Sequence, residues 1–377
     1  MRSTTLNDDA RRSSTGPDKP RIGLALSGGG FRATAFGLGS MRALHDRGLL
    51  NEISVVSGIS GGSLLAAMWA YGPATFEEFD ASVTDLLRSG LQMELARRVF
   101  APSSGVKKIG SSVRRRLTRK GRAHGQLRSR TDALAEAFAS RPFGQRLLDQ
   151  VTHPDLATVI SATDLTTTNA VRFGSRVSSC SRYGDIVNPI RVAEAVAASA
   201  SFPILLPALD RVYDFRKRDG SVAPERLALT DGGVYDNLGL SVLLPGRVAR
   251  FTSHVYDLDY VIAIDAGRGR TSKVTGNTTP FRLARSFDIT YAKTQDGGRA
   301  QLHAAAQHGQ LRGFVHTYLA TQDRNLPRPV ADLVAGDEVV GYPTNFAAMD
   351  AYDVRRLTTR GEQLTRCLVG YYCPELG

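Results

Sequence analysis

A serine framed by glycines, Gly58-Ile59-Ser60-Gly61-Gly62, is the sharpest chemical signal in the chain. It follows a short apolar run and precedes a second one, so it reads as a tight turn from strand to helix. G-x-S-x-G in that setting describes a nucleophile elbow. A serine there must hold a strained backbone for its hydroxyl to project outward. Side chains two positions to either side would collide, so Gly58 and Gly62 are small, and Gly61 supports the same turn. The helix that follows offers free N–H groups and a positive dipole end, which favour negative charge at the serine.

Two more turns can serve such a nucleophile. Gly28-Gly29-Gly30-Phe31-Arg32 lets backbone N–H groups converge on an anion with no Cβ in the way, and Arg32 adds positive charge. A tetrahedral intermediate needs donors of this kind for its oxyanion. The same stretch also fits a dinucleotide fingerprint, Gly28-x-Gly30-x-x-Ala33. The acidic residue expected about 20 positions on would then be Asp46 or Glu52, and neither ends the second strand. No G-K-[ST] occurs, which excludes a P-loop. Asp231-Gly232-Gly233 is either a plain turn or a base for Ser60, because a serine hydroxyl is a poor nucleophile until something takes its proton. An ordinary triad would use histidine. Of the chain's seven, His254 is the best candidate, and Asp236 and Asp265 are reserve bases.

These turns need elements to hold them. Ile22 to Leu26 and Ile53 to Val56 read as buried strands. Phe31 to Arg47 and Ser63 to Trp69 read as helices. Strand–turn–helix repeated twice argues for a parallel sheet covered by helices. Leu156 to Ala162, Val171 to Phe173 and Tyr260 to Asp265 continue the strands, and Val192 to Ser199 reads as a small-residue helix. Phe76 to Pro154 breaks the alternation, with helical stretches at Phe76 to Arg98 and Asp132 to Gln150, and reads as an insertion beside the site. Phe281 to Leu311 also reads as helical.

The chain has 377 residues, 42% hydrophobic and 22% charged, an ordinary globular composition. No run approaches the roughly 18 apolar residues of a membrane-spanning helix. Residues 1–20 read as a disordered polar leader. Three cysteines, Cys180, Cys367 and Cys373, are too few for a disulfide framework, so a cytoplasmic setting is expected. Cys367 and Cys373 have no neighbouring ligand that would make a metal site. The net charge is +12, and ten Lys or Arg with no Asp or Glu lie between Lys107 and Arg130. That run is either a solvated loop or a patch for an anionic surface. It contains no aromatic residue to stack on bases, so nucleic acid is not the expected partner.

The three motifs, in this order, make the chain resemble the patatin-like phospholipases. A fourth block, Ala198-Ser199-Ala200-Ser201-Phe202-Pro203, resembles the family's A-S-x-x-x-P segment. The resemblance spans roughly residues 21–240. It implies a three-layer α/β/α fold with a mostly parallel central sheet carrying a helical, basic insertion. The catalytic domain would run over 21–270 (insertion about 76–154), with 271–377 a mainly helical extension packed on it. It implies a Ser–Asp dyad without histidine: Ser60 attacks an ester carbonyl, Asp231 takes the proton, and Gly28, Gly29, Gly30, Phe31 and Arg32 form the oxyanion hole. Gly232 and Gly233 complete the aspartate's turn. It implies no cofactor, no metal, and acyl esters of glycerophospholipids as substrates. An aspartate with a pKa near 3.9 is a weak base at neutral pH, so the dyad must rely on close geometry and partial burial. Lipid substrates sit in aggregates, so peripheral contact with an anionic phospholipid surface is expected through Lys107, Lys108, Arg114, Arg115, Arg116, Arg119 and Lys120. An acyltransferase or thioesterase on the same elbow is the alternative. An activating ligand or partner and the oligomeric state stay open.

Overall fold

Short apolar strands separated by helices build one ten-stranded sheet. The computed structural model describes residues 19–92, 94, 129–203, 206–269 and 279–376. Residues 1–18 of the polar leader and the seven basic residues from Lys107 to Lys120 lie outside the described residues.

The first half of the sheet follows the expected plan. β1 (Ile22–Leu26), α1 (Gly30–Asp46), β2 (Ile53–Gly58), α2 (Gly61–Tyr71), α3 (Phe76–Ser89) and α4 (Arg130–Phe138) precede β3 (Ala157–Asp164). β9 (Tyr260–Asp265) and β10 (Gly313–Tyr318) join on the far side, giving five parallel strands in the order β10-β9-β1-β2-β3. Side chains alternate between two cores. Ile22, Leu24 and Leu26 face the core shared with α1 and α2, while Ala25 faces a second core with Leu302 and Ala305 of α7 (Thr279–Gln307). Helices therefore cover both faces.

The mostly parallel sheet needs correction. β4 (Ala170–Gly174), β5 (Ser178–Cys180), β6 (Gly184–Ile186), β7 (Leu209–Arg216) and β8 (Val222–Thr230) are antiparallel, and β8 pairs back onto β3 to close a ring. The reason is connection length. A parallel crossover needs a dozen or more residues, and the links β4–β5, β5–β6 and β7–β8 are short turns. Two expected helices also end early. α3 stops at Gly90, whose φ of 68° the helix cannot continue through. The stretch after α4 leaves helical backbone at Arg141, just before Pro142. α5 (Val192–Ser199) lies within the antiparallel half, and α6 (Gly233–Asp236) follows β8.

The end of the chain adds β10, the short α8 (Gly336–Val339) and the long α9 (Ala351–Tyr372). α9 lies against α1 at glycines: a Cβ on Gly39 would come within 1.8 Å of the Thr358 carbonyl oxygen, and one on Gly361 within 2.1 Å of that of Phe36. Backbone cannot yield as a side chain can. Gly39→Ala is therefore expected to destabilise the protein by about 1–3 kcal/mol, the usual cost of overpacking. A urea midpoint equal to wild type would show that the two helices are not locked at this crossing.

Candidate active site

Register brings the serine and the aspartate together. In β2, Gly58 pairs with Ile160 of β3, which sets Ser60, two residues on, level with Ala162. Further along that same edge of β3, opposite β4, Thr230 of β8 pairs antiparallel with Thr163, which sets Asp231 level with Ala162 too. The Thr163 hydroxyl donates to the Asp231 carbonyl at 3.0 Å. The antiparallel return, which the sequence did not reveal, is what delivers the aspartate.

Ser60 has φ 51° and ψ −119°, a conformation costly for a residue with a Cβ. Its neighbours must be glycine. A Cβ on Gly62 would meet the Leu26 carbonyl oxygen at 2.3 Å, and one on Gly61 the Gly30 carbonyl oxygen at 2.0 Å. Ser60 is 7% exposed and Asp231 2%. The Asp231 carboxylate accepts from the Gly233 N–H at 2.7 Å, and the Ser60 side chain lies near enough to favour its charged form. Burial pushes the Asp231 pKa up to about 7 against the pull of the Gly233 N–H and the Ser60 side chain. The carboxyl that the resemblance implies as the base thus titrates near neutrality.

The Ala198 to Pro203 block, whose role the sequence left open, ties the two turns together. The Ser199 hydroxyl accepts from the Ser60 N–H at 2.9 Å, and the Ser199 carbonyl from the Gly232 N–H at 3.2 Å. The Ser201 carbonyl accepts from the Asp231 N–H at 3.1 Å and from the Thr230 hydroxyl at 3.0 Å.

The glycine turn divides its donors. The Gly28 N–H donates to the Asn237 carbonyl at 3.0 Å and the Phe31 N–H to the Asn345 carbonyl at 2.9 Å. Among the described residues the N–H groups of Gly29, Gly30 and Gly61 have no hydrogen-bond partner. Arg32 is buried without a carboxylate. Its Nε donates to the Ala266 carbonyl at 3.0 Å, and its Nη1 to the Tyr342 carbonyl at 2.9 Å and the Thr344 hydroxyl at 2.8 Å. Burial, then the neighbouring Arg268, lower its pKa to about 9, so it stays charged at neutral pH.

Sequence reasoning missed Asn237, Tyr291 and Asn345. A Cβ on Gly28 would meet Asn237 Oδ1 at 2.3 Å, the Tyr291 hydroxyl at 3.2 Å and Ser60 Cβ at 3.4 Å. Tyr291 reaches the site from α7 and donates to Asn237 Oδ1. Burial and the Asp231 charge raise its pKa well above the usual value, so it remains a donor. Only Asn237, close behind the D-G-G turn, stood near a motif.

The other candidate bases have different surroundings. His254 is buried with both ring nitrogens unbonded, and burial beside Arg172 and Arg247 lowers its pKa to about 3. Among the described residues no histidine bonds to Ser60 or Asp231. Asp236 accepts from the N–H groups of Leu238, Gly239 and Ser241 and shapes a turn. Asp265 pairs with Arg299 at 2.5 Å and His316 at 3.1 Å; burial pulls its pKa up, but those partners hold it below the usual range. The acids a dinucleotide would use are engaged elsewhere: Asp46 pairs with Arg366 at 2.7 Å and Glu52 with Lys19 at 2.9 Å. Cys180, Cys367 and Cys373 are free thiols.

The patatin-like phospholipase family model matches residues 24–244, more than half of the chain. The chain belongs to the patatin-like phospholipase family. A probable lysophospholipase 4 of Schizosaccharomyces pombe is 36% identical over 107 residues, 26% of this chain and 15% of the relative. Lysophospholipase 1 of Aspergillus fumigatus is 42% identical over 66 residues, 15% of this chain and 10% of the relative. The match thus spans only a small part of these curated relatives. The human GIVD cytosolic phospholipase A2 shares the fold, with a TM-score of 0.56 at 16% identity over 93% of this chain and 59% of that one. Its complex with methyl gamma-linolenyl fluorophosphonate gives 0.50 at 18% identity, over 93% and 57%. In this patatin-like chain no described helix is long and apolar enough to cross a membrane.

Proposed function

We propose that the protein is a serine lipid acyl hydrolase that cleaves acyl esters of membrane glycerophospholipids or their lyso forms. The observation that carries this reading is a strained, glycine-flanked Ser60 beside a buried Asp231 whose pKa is about 7, with no histidine among the described residues bonded to either. Asp231 withdraws the Ser60 proton as Oγ bonds to the ester carbonyl carbon. The carbonyl oxygen gains the negative charge and is held by the free N–H groups of Gly29, Gly30 and Gly61, beside the fixed charge of Arg32. Collapse of the intermediate expels the alcohol, which takes the proton from Asp231. A water then repeats the sequence: it loses a proton to Asp231, attacks the acyl carbon, and releases the fatty acid and Ser60. A base with its pKa near the working pH suits both half-reactions. Tyr291 and Asn237 act as positioning residues that hold Gly28 against the serine.

The names of the fungal relatives and of the human neighbour support a phospholipid or lysophospholipid substrate. The basic run around Arg114 supports work at an anionic lipid surface on the cytoplasmic side. The test is a fluorophosphonate probe with the adduct mapped by mass spectrometry, alongside fatty-acid release from phosphatidylcholine and lysophosphatidylcholine vesicles. An adduct on Ser60 with fatty-acid release is the expected result. An adduct with acyl transfer to added alcohol in place of release to water would make the protein an acyltransferase. No adduct and no release on anionic vesicles would sink the reading.

A further inference from the structure

A second cleft, of about 710 Å³, opens in the antiparallel half of the sheet, between the β5–β6 hairpin, the end of β7 and the loop around Phe251. None of its lining residues belongs to the glycine turn, the serine elbow or the D-G-G turn. Six cations line it: Arg172, Arg182, Arg216, Lys217, Arg218 and Arg250. Two acids line it as well, and both are engaged. Glu225 pairs with Lys217 at 3.6 Å, and Asp185 accepts from the Ser253 hydroxyl at 2.5 Å. Among the described residues, the five arginines form no salt bridge.

Arg172 is the telling member. It is 7% exposed, yet its guanidinium bonds to no carboxylate. Its Nε is buried without a partner, and its Nη2 reaches only the Ser241 hydroxyl, at 3.5 Å. Its acidic neighbour, Asp236, already accepts from three backbone N–H groups. Burying a cation costs several kcal/mol unless a counter-charge compensates it. At the rim, Arg218 and Arg250 both lie over the Phe251 ring, at 5.9 and 5.7 Å, so the aromatic ring holds two like charges in place.

We propose that this cleft binds a phosphorylated anion of headgroup size, with its phosphate oxygens on Arg172 and the rim arginines. Guanidinium forks match phosphate oxygens in pairs, and the hydroxyls of Ser179, Ser181 and Thr252 line the same space. The volume suits a small ligand rather than a polymer. The same phosphate can come free in solution or displayed on a lipid. Phe251, 61% exposed, stands at the mouth where a bilayer's interface would meet it.

The test uses two probes on the full chain: pyrophosphate, by calorimetry, and phosphatidylcholine vesicles with and without phosphatidic acid, by co-sedimentation. The variant R216Q/R218Q/R250Q changes exposed arginines without a carboxylate partner, so its thermal midpoint should match wild type. Arg172→Gln is the buried counterpart. The expected result is saturable binding that the triple variant weakens by about tenfold or more. Loss with both probes supports the cleft for either source. Loss with vesicles alone assigns it to a lipid headgroup, and loss with pyrophosphate alone to a soluble phosphate. No binding of either probe, or binding that the triple variant leaves unchanged, overturns the proposal. The readout does not depend on Ser60 chemistry, so it stands or falls apart from the hydrolase reading.

Discussion

Ser60→Gly is expected to abolish ester hydrolysis while making the protein more stable, whereas Ser60→Ala abolishes hydrolysis with no such gain. Both remove Oγ, and losing a nucleophile costs on the order of 10⁴-fold or more in rate. They differ in backbone. At φ 51° and ψ −119° a residue with a Cβ is held at a cost of about 1–3 kcal/mol. Glycine adopts that conformation freely but loses more freedom on folding, at about 0.5–1 kcal/mol. The net gain of glycine over alanine is on the order of 1 kcal/mol, measurable as a higher urea midpoint. Equal midpoints would mean that the elbow stores no strain. Hydrolysis that survives in both variants would mean that Ser60 is not the nucleophile.

The same contrast shows what the sequence could reveal. A strained turn needs glycines at fixed offsets, so Gly58, Gly61 and Gly62 announced the elbow, and three glycines in a row announced the oxyanion turn. The parallel strands were legible because burial on both faces leaves continuous apolar runs such as Ile22 to Leu26. The antiparallel strands were not. β5 and β6 are three residues each, and β8 alternates exposed and half-buried residues over its first half, too short or too polar a signal to separate from a loop. Tyr291 and Asn345 lie in segments with no motif, so only the folded chain shows that α7 and the stretch after α8 cover the glycine turn. The basic cleft was hidden for the same reason: its arginines are scattered from 172 to 250 and converge only when β3 to β8 close their ring.

Asp231→Asn carries the other large effect, and its two halves have opposite signs. An amide cannot take the Ser60 proton, so fluorophosphonate labelling and hydrolysis should fall by about 10²–10⁴-fold, the usual worth of a positioned base. In the wild-type protein, activity should climb as the pH rises through about 7, where the buried carboxyl ionises. A plateau already reached by pH 5 would contradict that, since an ordinary aspartate is ionised there. Stability runs the other way. The folded-state pKa of Asp231 lies above its unfolded value, so its contribution is fully present below about pH 4 and is lost as the pH rises through about 7. A move from 3.8 to about 7 corresponds to about 4 kcal/mol at full ionisation. Asparagine does not titrate and does not suffer that loss. The variant's gain in thermal midpoint over wild type should therefore grow from pH 4 to pH 8. A constant difference across that range would mean that Asp231 ionises normally in the folded protein, so that close geometry and not a raised pKa would have to make it a base.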